Sequence, residues 1–206
     1  MKSLYLFPLW VRLWHWINAL LFITLIVSGA SLHFAGSSGW LKFDTAMWVH
    51  NTAGILLTLA WLLFVIGNWV TDNGKHYRIQ FNGIIGRIIQ QSVYYAVGIF
   101  RGDTPPFKMS MAMKFNTLQQ LTYISVIYGL MPLLMISGWL FLFASDLPAQ
   151  ILGMGSIWVI AMVHLVVAYL LVLFLFSHIY IITTGDTIFS HLRAMLTGWH
   201  KETEYD

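Results

Sequence analysis

The chain has no cysteine. That excludes disulfides, thiolate-held Fe–S clusters and the C-x-x-C-H attachment of a covalent haem. Charge is almost as scarce. Asp, Glu, Lys and Arg make up 9% of the 206 residues, where a soluble domain carries about 25%. Little room is left for a separate soluble domain, and residues 1–206 read as a single membrane domain. The pI of about 9.2 reflects where the few cations sit and is no sign of a nucleic-acid partner.

What the chain has in abundance is apolar sequence, 58% hydrophobic and 16% aromatic. Four runs, at about 11–32, 47–69, 118–143 and 157–182, are each long enough to cross a bilayer with some tilt. Trp and Tyr gather near several of their ends, as interfacial residues do. Pro132 falls within the third run and predicts a kink, tolerable where a neighbouring helix satisfies the freed carbonyl. The first run carries His15 and Asn18 and is too long and too polar for a cleaved signal peptide, so it reads as retained. The expected fold is all-α: an integral membrane four-helix bundle.

Of the eleven basic residues, Lys2, Arg12, Lys75, Arg78, Arg87, Arg101, Lys108, Lys114, Arg193 and Lys201 fall on one side of these runs, and only Lys42 on the other. The positive-inside rule then places both termini and the 71–117 connection in the cytoplasm of a bacterial inner membrane. Within that connection, 82–101 is apolar enough to compete as a fifth span. It contains Arg87, Gln90 and Gln91, while Ile84, Ile85, Ile88 and Ile89 form a stripe, which suits a helix lying in the cytoplasmic interface.

The histidines carry the chemistry. His164 and His178 lie fourteen residues apart in the fourth run. On a helix that is about 40° around the axis and roughly 21 Å along it. An ionisable side chain within a span is costly and normally faces the bundle interior, where it has a partner. With four alternating spans, His15 and His178 share the cytoplasmic level, and His50 and His164 the outer one. A single intramembrane histidine is well explained as an interhelical hydrogen-bonder. Four that pair by depth point to two stacked b-type haems with bis-imidazole ligation, which favours electron transfer over oxygen chemistry. Two-histidine sites without carboxylates would make poor zinc sites. Gly29, on the face of His15, and Gly54, one turn after His50, would leave room for a flat macrocycle, although close helix packing explains them equally. Arg12, one turn before His15, is a candidate partner for a haem propionate and equally a topogenic charge.

The segments LYLFPLWVRLWHWINALLF, MWVHNTAGILLTLAWLLFVIGN, KFNTLQQLTY and AMLTGWH, with the His164/His178 pair, resemble the thiosulfate reductase cytochrome b subunit family. That family sits in a wider group with the membrane b subunits of formate dehydrogenase and nickel–iron hydrogenase. The resemblance covers nearly the whole chain. It implies a dihaem b-type cytochrome ligated by His15, His50, His164 and His178, exchanging electrons between menaquinone or ubiquinone and a periplasmic Fe–S or multihaem c-type subunit. It also implies a quinone site at Asn116, with Gln119 one turn on. By spacing alone, Asn116 is a good helix N-cap. In such a complex this chain would be the electron-transfer subunit, with the terminal chemistry elsewhere.

His33 is the alternative for quinol contact on the outer side, and His76, His191 and His200 receive no ligand role. The outer connections, about 33–46 and 144–156, are short and nearly uncharged and could dock a partner. Two rival readings are a haem-free membrane anchor and a ferric-reductase-like domain. The latter needs a widely spaced histidine pair on each of two helices; here only the fourth run has one.

Overall fold

The computed structural model describes residues 2–34, 40–107, 109–111, 113–185 and 187–202, without the side chains of Lys2, Lys201 and Glu202. Lys108 and the loop residues 35–39 lie outside the described residues. Four helices are long and apolar enough to cross a membrane: Leu9–His33, Phe43–Val70, Thr117–Leu142 and Ser156–Ile182. Their bounds fall within a few residues of the expected runs. Each span exposes large apolar side chains, among them Leu20, Leu63, Leu133 and Leu173. Such a surface is unfavourable in water and natural against lipid.

The described residues group into two compact units. One comprises Leu13–Ile66 and Ile127–Leu175; the other comprises Met1–Arg12, Gly67–Val126 and Phe176–Asp206. The first is almost purely helical, with a core of Leu57, Ala60, Phe64, Met131, Met135, Ile160, Val167 and Leu171. Trp14 stacks on Phe64 with ring centroids 3.7 Å apart and donates its indole N–H to the Ala60 carbonyl at 2.8 Å. Trp61 donates to the carbonyl of Ile127 at 2.7 Å. That carbonyl lies in a π turn, Val126–Leu130, immediately before Pro132. Proline has no N–H to continue the ladder, so the helix widens by one residue and the carbonyl set free is satisfied from the second span. The expected disturbance at Pro132 is therefore present, as a π turn. In the connection between the third and fourth spans, strands β2 (Gln150–Ile151) and β3 (Met154–Gly155) form a tight hairpin turning at Leu152 and Gly153, both with positive φ.

In the second unit the chain ends meet. Strand β1 (Lys2–Tyr5) pairs antiparallel with β4 (Trp199–Glu202), and Gly198 accepts from the N–H groups of Leu6 and Phe7. Gly198 has φ +87°, and a Cβ there would lie 2.6 Å from the Tyr5 ring, so this turn requires glycine. Termini that pair with each other lie on one side, which requires an even number of crossings. Segment 84–101 is accordingly no fifth span. It forms the helix Ile84–Val93, a π turn Tyr94–Gly98 and a final turn Ile99–Arg101. Ile85, Ile89 and Val93 are exposed while Gln91 is buried, an apolar stripe suited to an interface. Arg87 donates to Thr117 Oγ1 at 2.9 Å and to the carbonyls of Gln80 and Asn82, anchoring the helix to its own unit.

Candidate functional site

The depth argument pairs His50 with His164, and the structure brings them together. Their ring centroids are 6.2 Å apart with planes inclined by 68°. That spacing is about the room two imidazoles would need to hold one metal centre between them. Separation alone is not diagnostic, because His191 and His200 lie 6.3 Å apart at the paired chain ends. The surroundings of the two couples differ.

Ser28 Oγ lies 3.0 Å from His50 Nδ1, and Ser137 Oγ lies 2.9 Å from His164 Nδ1. The residue after each serine is glycine. A Cβ on Gly29 would sit 3.1 Å from His50 Cε1, and one on Gly138 would sit 3.4 Å from His164 Cε1. Phe141 meets the His164 ring edge-on at 5.8 Å. Each imidazole thus has one nitrogen occupied by its own scaffold, and a glycine gives it room. Among the described residues no group of three or more His, Cys, Asp or Glu side chains could hold a bare metal ion. Two imidazoles without a carboxylate or thiolate nearby would suit a metal already held by a macrocycle, and haem fits these residues, which would hold it through His50 and His164.

Sequence reasoning missed Ser28, Ser137 and Gly138. A signal was present: the dipeptide Ser–Gly occurs once in the first span and once in the third, at 28–29 and 137–138. Gly29 was expected on the face of His15; the structure sets it against His50. Gly54, expected to leave room near His50, has no neighbour within 4 Å of an added Cβ.

The other couple, His15 and His178, falls across the two units, His15 in the helical one and His178 in the unit holding the termini. His15 meets Trp16 edge-on at 5.1 Å, and His178 meets Tyr123 at 6.4 Å. Arg12 donates from Nη1 to the Leu196 carbonyl at 2.5 Å. Its Nε is buried without a hydrogen-bond partner, so one guanidinium donor remains for an anionic group.

Asn116 caps the third span in a full capping box. Its Oδ1 accepts from the Gln119 N–H at 2.9 Å, and Gln119 Oε1 accepts from the Asn116 N–H at 3.1 Å. The structural role read from spacing is therefore present. One Asn116 Nδ2 hydrogen goes to Tyr95 Oη at 2.8 Å. Burial pushes the Tyr95 phenol above its ordinary range, so it stays protonated. Having accepted from Asn116, that phenol keeps its own O–H for a further acceptor. Tyr180 donates to the Tyr95 carbonyl at 3.1 Å. Tyr95 was not anticipated, because it lies 21 residues before Asn116.

Beside this lies a buried polar chain. Lys114 Nζ donates to Asn73 Oδ1 at 3.4 Å, and Asn73 Nδ2 donates to Asn68 Oδ1 at 2.8 Å. Lys114 also approaches the Phe7 ring, 5.8 Å from its centroid. Burial, with Lys75 nearby, pulls the Lys114 ammonium down to about 8. A cavity of about 260 Å³ is lined by Leu6, Trp10, Asn73, Lys75, His76 and Lys114, among others. Of the histidines without an assigned role, His76 and His200 are buried. His33 sits against Phe34 at 4.8 Å.

Comparison with known proteins agrees with this geometry. The sequence model described as "Prokaryotic cytochrome b561" matches residues 6–198. The Escherichia coli (strain K12) protein named "Putative cytochrome YdhU" is 40% identical over 200 residues, covering 97% of this chain and 76% of that one. No solved structure matches.

Proposed function

The chain belongs to the prokaryotic cytochrome b561 family, and from that premise we propose that it is a dihaem subunit linking the quinone pool to a periplasmic redox partner. Its membership makes it a bacterial membrane cytochrome that binds haem b and serves transmembrane electron transfer. The finer reading has four parts. His50 and His164 hold the outer haem. His15 and His178 hold a second haem near the cytoplasmic face, with Arg12 toward a propionate. Asn116 and Gln119, with Tyr95, border the quinone site. Both termini are cytoplasmic, as the basic residues around them suggest. The resemblance to thiosulfate reductase b subunits supports a partner of Fe–S or multihaem c type on the other side.

The observation that carries this reading is the His50/His164 couple, two inward imidazoles from different spans with ring centroids 6.2 Å apart. Bound haem would supply reversible one-electron chemistry with no open iron position. The chain's own residues do the rest. The histidines fix the positions of the two redox centres, and the apolar spans exclude water from them. Tyr95, held protonated and oriented by Asn116, offers a hydrogen bond to a quinone oxygen. Oxidation of a quinol there releases two protons and passes two electrons singly to the chain.

Purified protein reduced by a quinol analogue tests the reading. The expected result is two b-type centres per chain, both reducible, with His164→Ala losing one and His178→Ala the other. A spectrum unchanged after both substitutions would refute the ligand assignment.

A further inference from the structure

The two Ser–Gly dipeptides do more than relax helix packing. A hydroxyl has one proton to donate. Ser28 Oγ is 2.7 Å from the Thr24 carbonyl, the usual back-bond of a serine in a membrane helix, and that carbonyl can take its proton. With the proton on that carbonyl, the same oxygen accepts from His50 Nδ1, 3.0 Å away. Only the Nδ1–H tautomer makes both hydrogen bonds at once.

Ser137 repeats the arrangement. It donates to the Leu133 carbonyl at 2.8 Å, with Leu134 O at 2.9 Å, and faces His164 Nδ1 at 2.9 Å. A neutral imidazole with its proton on Nδ1 carries its lone pair on Nε2, and a metal binds through that lone pair.

We propose that Ser28 and Ser137 are positioning residues: each fixes its histidine as the Nδ1–H tautomer, presents Nε2 to the iron of the outer haem, and sets the potential of that centre. The proposal rests on His50 and His164 being the outer ligands. Back-bonding explains each serine's proton but not why both oxygens lie against histidine nitrogens on other spans. Nor does it explain why each serine precedes a glycine whose missing Cβ faces the same ring. Serine orients the ring, and the glycine lets it approach. Donation from Nδ1–H makes Nε2 a stronger base and favours ferric iron, which lowers the potential. Without the hydroxyl oxygen the centre should become easier to reduce.

The test is a potentiometric titration of the haem-loaded protein in its membrane, followed by visible absorption and by low-temperature EPR of the ferric state. Variants are Ser28→Ala, Ser137→Ala, the double variant, and Ser28→Thr. Each alanine variant should move the same one of the two centres to higher potential and alter its ferric g-values, leaving the other in place. The double variant should move it further. Threonine, which keeps the hydroxyl, should titrate like the wild type. Should an alanine variant lose the centre, Ser28→Thr must retain it at the wild-type potential; threonine losing it too would overturn the proposal. Alanine variants that titrate like the wild type would also overturn it. A His50→Ala control separates the two levels. If it loses one centre while the serine variants are silent, only the positioning role fails; if it keeps both centres, the ligand assignment itself fails.

Discussion

The unit holding His50 and His164 and the unit holding the chain ends solve the burial of polar groups differently. In the first, polar side chains work singly and close to home. Thr24, Ser28 and Ser137 each return a hydrogen bond to their own helix, and Trp14 and Trp61 each cap one carbonyl on another helix. In the second, polar groups join into chains, Asn68–Asn73–Lys114 and Gln119–Asn116–Tyr95, supported by a short sheet and a π turn. One arrangement insulates a site from water, and the other can hand a proton or a polar ligand between residues. The difference matches the roles proposed above, with both outer-haem ligands in the first unit and the quinone contact in the second.

The contrast can be broken most severely at Gly29. Replacing it with leucine drives a branched side chain into the His50 ring, where even a Cβ would sit 3.1 Å from Cε1. We expect the outer haem to be lost, read as a halved haem-to-protein ratio, with the helices intact by circular dichroism. Full haem content in Gly29→Leu would show that the ring has freedom the site does not allow.

In the polar unit, Asn116→Ala should lower stability by about 1 kcal/mol through loss of the N-cap and reduce quinol turnover several-fold with both haems retained. Normal turnover, measured with a quinol analogue, would move the quinone site away from Tyr95. A smaller effect is expected from Trp61→Phe. It leaves the Ile127 carbonyl without its indole partner, and membrane hydrogen bonds of this kind contribute about 0.6 kcal/mol. Denaturant unfolding in mixed micelles should show a loss of that size and an unaltered visible spectrum.

A further effect is one of pH. Lys114 titrates near 8 in the fold against 10.5 when free. Between those values the unfolded chain binds the proton that the folded chain has released, so folding stability should rise with pH across that window. The cost of the buried charge is fully present below about pH 8. Lys114→Met should remove this slope, as measured by thermal unfolding at several pH values. An identical slope in the variant would place the charge in solvent.

The same contrast explains what could be read from the sequence. Four spans and their bounds follow from apolar length, which depends on the bilayer and hardly on neighbours. The partnership of His50 with His164 follows from depth, a one-dimensional quantity that residue number tracks along a helix. Contact around the ring does not follow in this way. Gly29 shares a helix face with His15 but lies against His50, since a face says nothing of the level at which a neighbour arrives. Ser28 and Ser137 read as ordinary small residues until their partners on other spans are seen. The β1–β4 pairing joins residues at opposite ends of the chain in strands of four, too short and too far apart for any local period to reveal. Tyr95 reaches Asn116 only because the 84–101 segment folds back along its own unit.

The central claim is that the couple of His50 and His164 holds a haem of its own. The most direct measurement is the pyridine haemochrome of purified His164→Ala beside the wild type, normalised to protein. Two b haems per chain should fall to one, with the surviving centre keeping its wild-type potential. An unchanged count in the variant would contradict it.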